Sequence, residues 1–529
     1  MTASRGPVAT AGGARPFRLA VVGGGIAGLA AAHAAVARGV EVGATVAVTL
    51  LESSRRFGGH LVTEEVDGFL LDAGPDSWVA TKPHAADLAR AVGLGADLIG
   101  TNEATRRYCV AFGGRLHPVP EGLVLGVPTR LLPLVGSRLF SWPGKVRMAL
   151  EPFVRARRFE GDDDESIADF ATRRLGREAA DRLVAPLLGG ISAGDASELS
   201  VRALVPQLVA MERDHGSLVL GMRAAQKARA ASEVRTALGS AVRGPEVRGP
   251  NANAKRPPPS GFVSLRRGVE ALPRAVGGDL VRRGVSLRTG KEVRTIDRTT
   301  DAWAVVTTDG ERVAADAIVL AVPGGVAARL LSAIEPAAAE TLAQIQYGST
   351  ATVFLAYRRA DVIHPLDAVG FVVPRSLGMP ILASTWVSSK WEGRAPAGHV
   401  LLRVFFGGAE GKAVLQRSDE GLAELAQSEL RQLMGIEPAP LWTRVFRFER
   451  ATAQMRVGHL ARMRGVHERL AHTAPAIRIV GGGFDGVGIP DCIRQGQDAA
   501  RALVDAGLAR IEPRAGRAPM SDEGVGRAG

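Results

Sequence analysis

Cysteine is nearly absent: Cys109 and Cys492 are the only two in 529 residues. They lie far apart and form no C-x-x-C or Cys/His cluster, which argues against a disulfide framework or a zinc site. The usage fits a reducing compartment such as the cytoplasm. Aromatic residues are also scarce, at 5% against 64 glycines. Ala, Gly and Arg are abundant instead, a compositional bias that carries no message about fold. Long apolar runs are missing too. No stretch approaches the roughly 18 apolar residues of a spanning helix. The first long apolar stretch, Leu19 to Ala37, is interrupted by Gly23–Gly25 and does not read as a secretory signal. The segment Gly122–Phe140 is apolar but carries Pro128, Arg130, Pro133 and Arg138. It suits a pocket wall or an interfacial patch better than a span.

Acidic residues are outnumbered, and the formal net charge is +12. The excess is local. Between Arg223 and Arg256, eight basic residues face Glu233 and Glu246. No helix-turn-helix, RNP or zinc-finger pattern accompanies them, so no nucleic-acid partner is expected.

What is present is a strand–turn–helix–strand pattern near the N-terminus. Phe17–Val22 is a short buried run, Ile26–Arg38 suits a helix, and Val46–Leu51 is a second β-branched run ending at Glu52. Between the first two sits Gly23-Gly24-Gly25-Ile26-Ala27-Gly28, a G-x-G-x-x-G turn. Gly23 permits the tight bend, Gly25 lets the backbone approach a pyrophosphate, and Gly28 lets the helix pack closely on the strand. The helix N-terminus offers N–H groups and partial positive charge to phosphates. Glu52 follows Gly28 by 24 residues, near the spacing of a carboxylate that accepts from an adenosine ribose. It would repel a 2′-phosphate, which disfavours NADP. Arg56-Phe57-Gly58-Gly59 follows within one turn, and this favours the longer FAD over NAD.

A second glycine-rich turn, Gly481–Asp491, lies near the C-terminus. Too little chain follows for a second nucleotide unit. The N–H groups of Val487, Gly488 and Ile489 are expected instead to face the N1–C2=O edge of a flavin ring, where reduction places negative charge. Pro490 fits the first turn of the helix expected over Pro490–Ala506.

These residues resemble the protoporphyrinogen oxidase family, including its bacterial coproporphyrinogen III oxidase branch. Further matches are Gly74-Pro75-Asp76-Ser77, Ala185–Asp195, Val263–Pro273 and Gly486–Ile493. The resemblance runs from about Leu19 to Asp505, outside the insertion. It implies an α/β (α+β) fold: a Rossmann-like FAD-binding domain with an inserted, mostly helical substrate domain and an additional mixed sheet. It implies FAD held by Gly23, Gly25, Ile26, Ala27, Gly28, Glu52, Ser53, Arg56 and Gly59 at one end. Gly74, Pro75, Asp76 and Ser77 would border the flavin, and Val293 would contact the adenine part through its backbone. Val487, Gly488 and Ile489 would hold the ring, with Phe448 nearby. The implied reaction takes six electrons from a porphyrinogen in three steps, passes them to O2 and releases H2O2 in heme biosynthesis.

This sequence departs from the family pattern. Phe448, Ala453 and Met455 stand where Trp, Pro and Tyr are usual, while Gln454, Gly458 and His459 are kept. Gly482, Phe484 and Asp485 replace an Asn…Tyr-Arg set. No general base emerges: His33 reads as packed or surface, and His459 as orienting a loop. Lys82, Arg106 and Arg107 are candidates to meet substrate carboxylates, and solvated charges are the plainer alternative. No metal is expected.

The expected organisation is a disordered tail over 1–16 and the FAD domain over 17–80, 261–330 and 461–509. A helical substrate or membrane-facing domain takes 81–222, a disordered insertion 223–260, a substrate-domain sheet 331–460 and a tail 510–529. Expected partners are a porphyrinogen and O2, with peripheral contact at the inner face of the cell membrane, a homodimer and handover to ferrochelatase. Two other readings stay open: an amine oxidase or carotenoid desaturase relative, or a non-catalytic FAD- or porphyrin-binding protein. An amine oxidase often attaches its flavin through Cys, and Cys492 is the only plausible site.

Overall fold

Apolar runs from both ends of the chain pair side by side. The computed structural model describes residues 15–192, 194–228, 261–408, 411 and 413–511. Strand β1 (Phe17–Val22) leads through the glycine turn into helix α1 (Ile26–Glu41) and then strand β2 (Val46–Leu51). Three later strands join them: β3 (Ser286–Arg288), β4 (Ala317–Leu320) and β5 (Ile477–Ile479). All five run parallel in the order β3-β2-β1-β4-β5. Every residue of β4 is buried, as expected for a strand covered on both faces. This is the Rossmann order, in which ligands bind beyond the carboxyl ends of the strands.

Helix α2 (Ile489–Ile511) returns from the second glycine turn and packs across α1. A Cβ on Gly496 would lie 2.2 Å from the Ala27 carbonyl oxygen, so only glycine allows this crossing. Leu29, Ala30, Ala35 and Val504 fill the interface with the sheet.

The second layer is a seven-stranded mixed sheet built on the long strands Tyr347–Arg358 and Trp442–Ala453. Its far edge is the hairpin Cys109–Phe112 and Arg115–Pro118. The sequence pattern from Lys82 to Met222 reads as mostly helical; the structure corrects this for its first third. Residues 98–128 hold five short strands, and helices dominate only from Leu132 onward. Short, Pro-interrupted apolar runs there look alike in either state, and pairing with Phe371 and Val372 decides for strand.

The helix at Ile167–Leu175 begins at a Ser166 cap whose hydroxyl accepts from the Asp169 N–H at 3.0 Å. Arg174 and Glu151, both fully buried, are paired in the core of this helical region. Ser217 Oγ and the Leu218 and Val219 N–H groups also donate to Glu151. The expected insertion 223–260 begins on a helix, with residues 223–228 helical. Its remainder, like most of the two tails, lies outside the described residues. No helix among the described residues is long and apolar enough to cross a membrane.

Candidate functional site

The two glycine turns face one cavity. It has a volume of about 650 Å³ and lies beyond the carboxyl ends of β1, β2 and β4. Gly23, Gly25, Glu52 and Val293 line one part of it; Gly481, Gly483, Val487 and Ile489 line another. Such a volume suits a large organic ligand.

The first turn is built by close backbone approaches. Gly23 has φ +103°, and a Cβ there would sit 2.2 Å from the Ala321 carbonyl oxygen. Gly28 packs against the Gly23 carbonyl, which fixes the start of α1, and does not line the cavity. Gly25 is different. A Cβ on it would meet no atom within 4 Å, because it points into the cavity. That space, beside the N-terminus of α1, fits a pyrophosphate. Ile26, Ala27, Ser53 and Gly59 also line it.

Glu52 is already engaged. It accepts from the Gly24 N–H at 2.6 Å and the Ser54 N–H at 2.7 Å. It thus ties the glycine turn to the end of β2 while still lining the cavity. Arg56 does not line the cavity. Its guanidinium donates to the carbonyls of Phe57, Gly59 and Leu61 and closes the loop over residues 56–61.

Of the Gly74–Ser77 segment, only Pro75 lines the cavity. Gly74 lies against the His60 carbonyl, and Phe448 meets the His60 ring edge-on at 5.8 Å. Asp76 turns away to accept from Lys390 Nζ at 2.7 Å, Trp391 Nε1 at 3.0 Å and Ser77 Oγ at 2.6 Å. Burial opposes its charge, but Lys390 and these donors outweigh burial and hold the carboxyl well below the usual range.

The second turn leads into α2. The Cys492 N–H donates to the Gly488 carbonyl, the first helical bond. The N–H groups before it have no intrahelical acceptor. Gly488 itself packs against Asp491, and Asp491 is clamped by Lys82. Lys82 therefore braces this turn and is not a free cation. Arg106 pairs with Glu103 on the surface. Arg107 pairs with Asp367 and lines a separate cavity. His459 is buried and donates from Nε2 to the Phe484 carbonyl at 2.9 Å, holding the turn from behind. Burial lowers its pKa, which suits a neutral ring. His33 is packed in α1, 3.5 Å from Asp279.

Among the cavity residues that escaped the sequence reading are His60, Tyr347 and Arg329. His60 follows Gly59 directly, and burial and then Arg56 lower its pKa. Tyr347 accepts from the Gly324 N–H at 2.7 Å and abuts Gly483. Arg329 donates to the Val293 carbonyl at 3.1 Å and shapes the end beside β2. Cys492 lines the cavity with its thiol pushed up to about 12, first by burial and then by Asp491. A thiol held neutral is a poor nucleophile. His60 alone had a signal in the sequence, its place after two glycines. No metal-holding cluster occurs among the described residues.

Comparison with known proteins matches this geometry. Residues 26–504 match the family described as flavin containing amine oxidoreductase. The chain is 37% identical to the coproporphyrinogen III oxidase of Propionibacterium freudenreichii, over 93% of this chain and 91% of that one. It is 33% identical to the coproporphyrinogen III oxidase of Bacillus subtilis, over 90% of this chain and 96% of that one. A solved structure from Exiguobacterium superposes with TM-score 0.77 at 30% identity, covering 93% of this chain and all of that one. Cyclohexylamine oxidase from Brevibacterium oxydans, 16% identical with TM-score 0.65, shares the fold. The chain belongs to the flavin-containing amine oxidoreductase family, and its cofactor is FAD.

Proposed function

We propose that this chain oxidises a porphyrinogen to the porphyrin in heme biosynthesis, with O2 as the final acceptor. The observation that carries the reading is the convergence of two glycine turns, remote in sequence, on one cavity sized for a dinucleotide. The names of the relatives supply the substrate class. Those at 33% and 37% identity are coproporphyrinogen III oxidases, and the plant protoporphyrinogen oxidases reach 28–29%. Coproporphyrinogen III is therefore the favoured substrate.

When bound, FAD supplies a two-electron acceptor that O2 can reoxidise. Removal of six electrons and six protons from one porphyrinogen then consumes three O2 and yields three H2O2. The chain's own part is binding and placement. In this reading Gly23, Gly25, Ile26 and Ala27 cradle the pyrophosphate at a helix start that Gly28 fixes, and Glu52 and Ser53 take the ribose edge. Val293 meets the adenine part through a carbonyl that Arg329 fixes. Val487, Gly488 and Ile489 present N–H groups to the ring, and Pro75 and Tyr347 wall it. Arg56, Gly59, Asp76, Ser77 and Phe448 act through the loops they hold. Lys82 braces the ring turn, and the cations that meet substrate carboxylates are others.

Residues 17–80, 261–330 and 461–509 form the cofactor side, and 81–222 with 331–460 form the substrate side, from which Tyr347 reaches the cofactor cavity. The reading also includes a cytoplasmic chain in peripheral contact with the membrane, a homodimer, and handover of product to ferrochelatase. Purified, flavin-loaded protein is assayed in air with coproporphyrinogen III and with protoporphyrinogen IX. Porphyrin fluorescence with three peroxides per porphyrin is expected. A fully loaded protein that forms porphyrin from neither substrate rejects the proposal.

A further inference from the structure

The segment that meets the cavity at Pro75 has charged neighbours that do not line it. Pro75 faces the cavity, while Asp72, the Ala73 carbonyl and Asp76 meet a cluster of three cations. Arg394, fully buried, pairs with Asp72 at 3.0 Å. Lys390 pairs with Asp76 at 2.7 Å, and both side chains are largely buried. Ser264 links the two pairs: its hydroxyl donates to the Asp76 carbonyl at 2.7 Å and accepts from Arg394 at 3.2 Å. Each carboxylate therefore has a cation of its own.

The third cation, Arg403, is left over. It sits on the strand His399–Gly407 and is 4% exposed. Its guanidinium donates to the Ala73 carbonyl, a neutral acceptor that the Thr352 hydroxyl also reaches at 3.4 Å. It lies 4.4 Å from the centre of the Phe405 ring and 5.2 Å from that of Phe354. Its Nε has no hydrogen-bond partner, and no acid is in contact with it among the described residues. Burial pulls its pKa down to about 10, against Asp76 and then Asp72, so the group is still charged at neutral pH. A buried, unpaired charge is costly, and an apolar side chain of the same length would pack between the two rings without that cost. The cluster thus holds one positive charge in excess, two positions from Pro75 in sequence.

We propose that Arg403 raises the reduction potential of the FAD, its unmatched charge behind the Pro75 wall favouring the reduced flavin over the oxidised one. This rests on the reading that Pro75 walls the flavin ring, and it deepens that reading. Each reduction gives the flavin two electrons and one proton from the substrate, which leaves it with one negative charge more. The N–H groups of the second glycine turn meet that charge as dipoles. Arg403 adds a full charge, and it acts through protein interior, where screening by water and salt is weak. A raised potential makes each of the three two-electron steps more favourable.

The midpoint potential of flavin-loaded full-length protein is measured anaerobically against reference dyes, with no porphyrinogen present. Arg403→Met keeps the length and the packing between the rings. It is expected to shift the preference between reduced and oxidised FAD at least about tenfold toward the oxidised form, a fall of about 30 mV for a two-electron couple. Arg403→Lys keeps the charge and is expected to stay close to the wild type. Asp76→Asn removes an opposing charge and is expected to raise the potential. A purely structural role would not order the variants by charge. If Arg403→Met does not hold flavin, the other two variants decide. Three results overturn the proposal: a wild-type potential in loaded Arg403→Met, a fall in Arg403→Lys of about 30 mV or more, or a potential that does not rise in Asp76→Asn. Because the potential is read without substrate, failure here and failure of the porphyrinogen assay are separate results.

Discussion

Lys82 Nζ lies 2.7 Å from both carboxylate oxygens of Asp491. The pair spans 409 positions of sequence and ties the segment after β2 to the first turn of α2. Asp491 in turn packs against Gly486 and Gly488. The lysine is half-exposed, so the pair adds at most about 1 kcal/mol to stability. Its effect is on position. Lys82→Met is expected to lower the melting temperature little, yet to weaken FAD retention severalfold. Fluorescence titration of apo-protein with FAD measures this. A variant with normal FAD affinity and a raised KM for the porphyrinogen would return Lys82 to the substrate.

Gly25 and Gly496 make opposite predictions from the same chemical change. Gly25→Val points its side chain into open cavity, so the chain folds but comes out colourless. Gly496→Val drives a side chain into the Ala27 carbonyl and is expected to cost about 1–3 kcal/mol or more of stability. Absorbance near the flavin bands and urea unfolding separate the two effects.

Arg394 and Asp72 form a buried pair beneath the segment leading to Gly74, with nitrogen and oxygen 3.0 Å apart. Thr63 Oγ1 and the Val269 N–H also donate to this carboxylate. Burial pushes the Asp72 pKa up, and Arg394 opposes that. Arg394→Met leaves the acid without its cation and is expected to cost about 3–5 kcal/mol. Denaturant melts at neutral pH check this.

Cysteine sets an alkaline limit. Burial pushes the thiols up to about 11 at Cys109 and about 12 at Cys492. In the unfolded chain they ionise near about 8.5. The folded state then binds more protons than the unfolded one, so stability is intact below about 8.5 and falls as pH rises toward the folded values. Melting temperature followed from pH 8 to pH 11 should decline, and Cys492→Ser should decline less steeply. The same neutral thiol predicts flavin that is fully released on denaturation. Flavin remaining with the denatured chain on a gel would place a covalent bond at Cys492.

The parallel strands were readable because burial on both faces leaves an uninterrupted apolar run. Phe17–Val22 and Val46–Leu51 match their expected bounds. Strand β3 has three residues and carries Ser286 and Arg288, and the short run Val285–Leu287 marks it to within one position. The hairpin at Cys109–Pro118 owes its state to strands more than 250 positions away. Motifs marked the backbone of the site, where glycine has a physical reason to recur. They did not mark its walls. Tyr347 is the first residue of a long strand, and Arg329 sits on an ordinary helix. Glu52, Arg56 and Lys82 were found by type and spacing, but their partners depend on distances that only the fold supplies.

The central claim is that both glycine turns serve one FAD. Calorimetric titration of apo-protein with FAD tests it on the wild type, Gly25→Val and Val487→Asp. One FAD per chain is predicted for the wild type, with binding lost in the first variant and weakened at least about tenfold in the second. Wild-type affinity and full loading in either folded variant would contradict the claim.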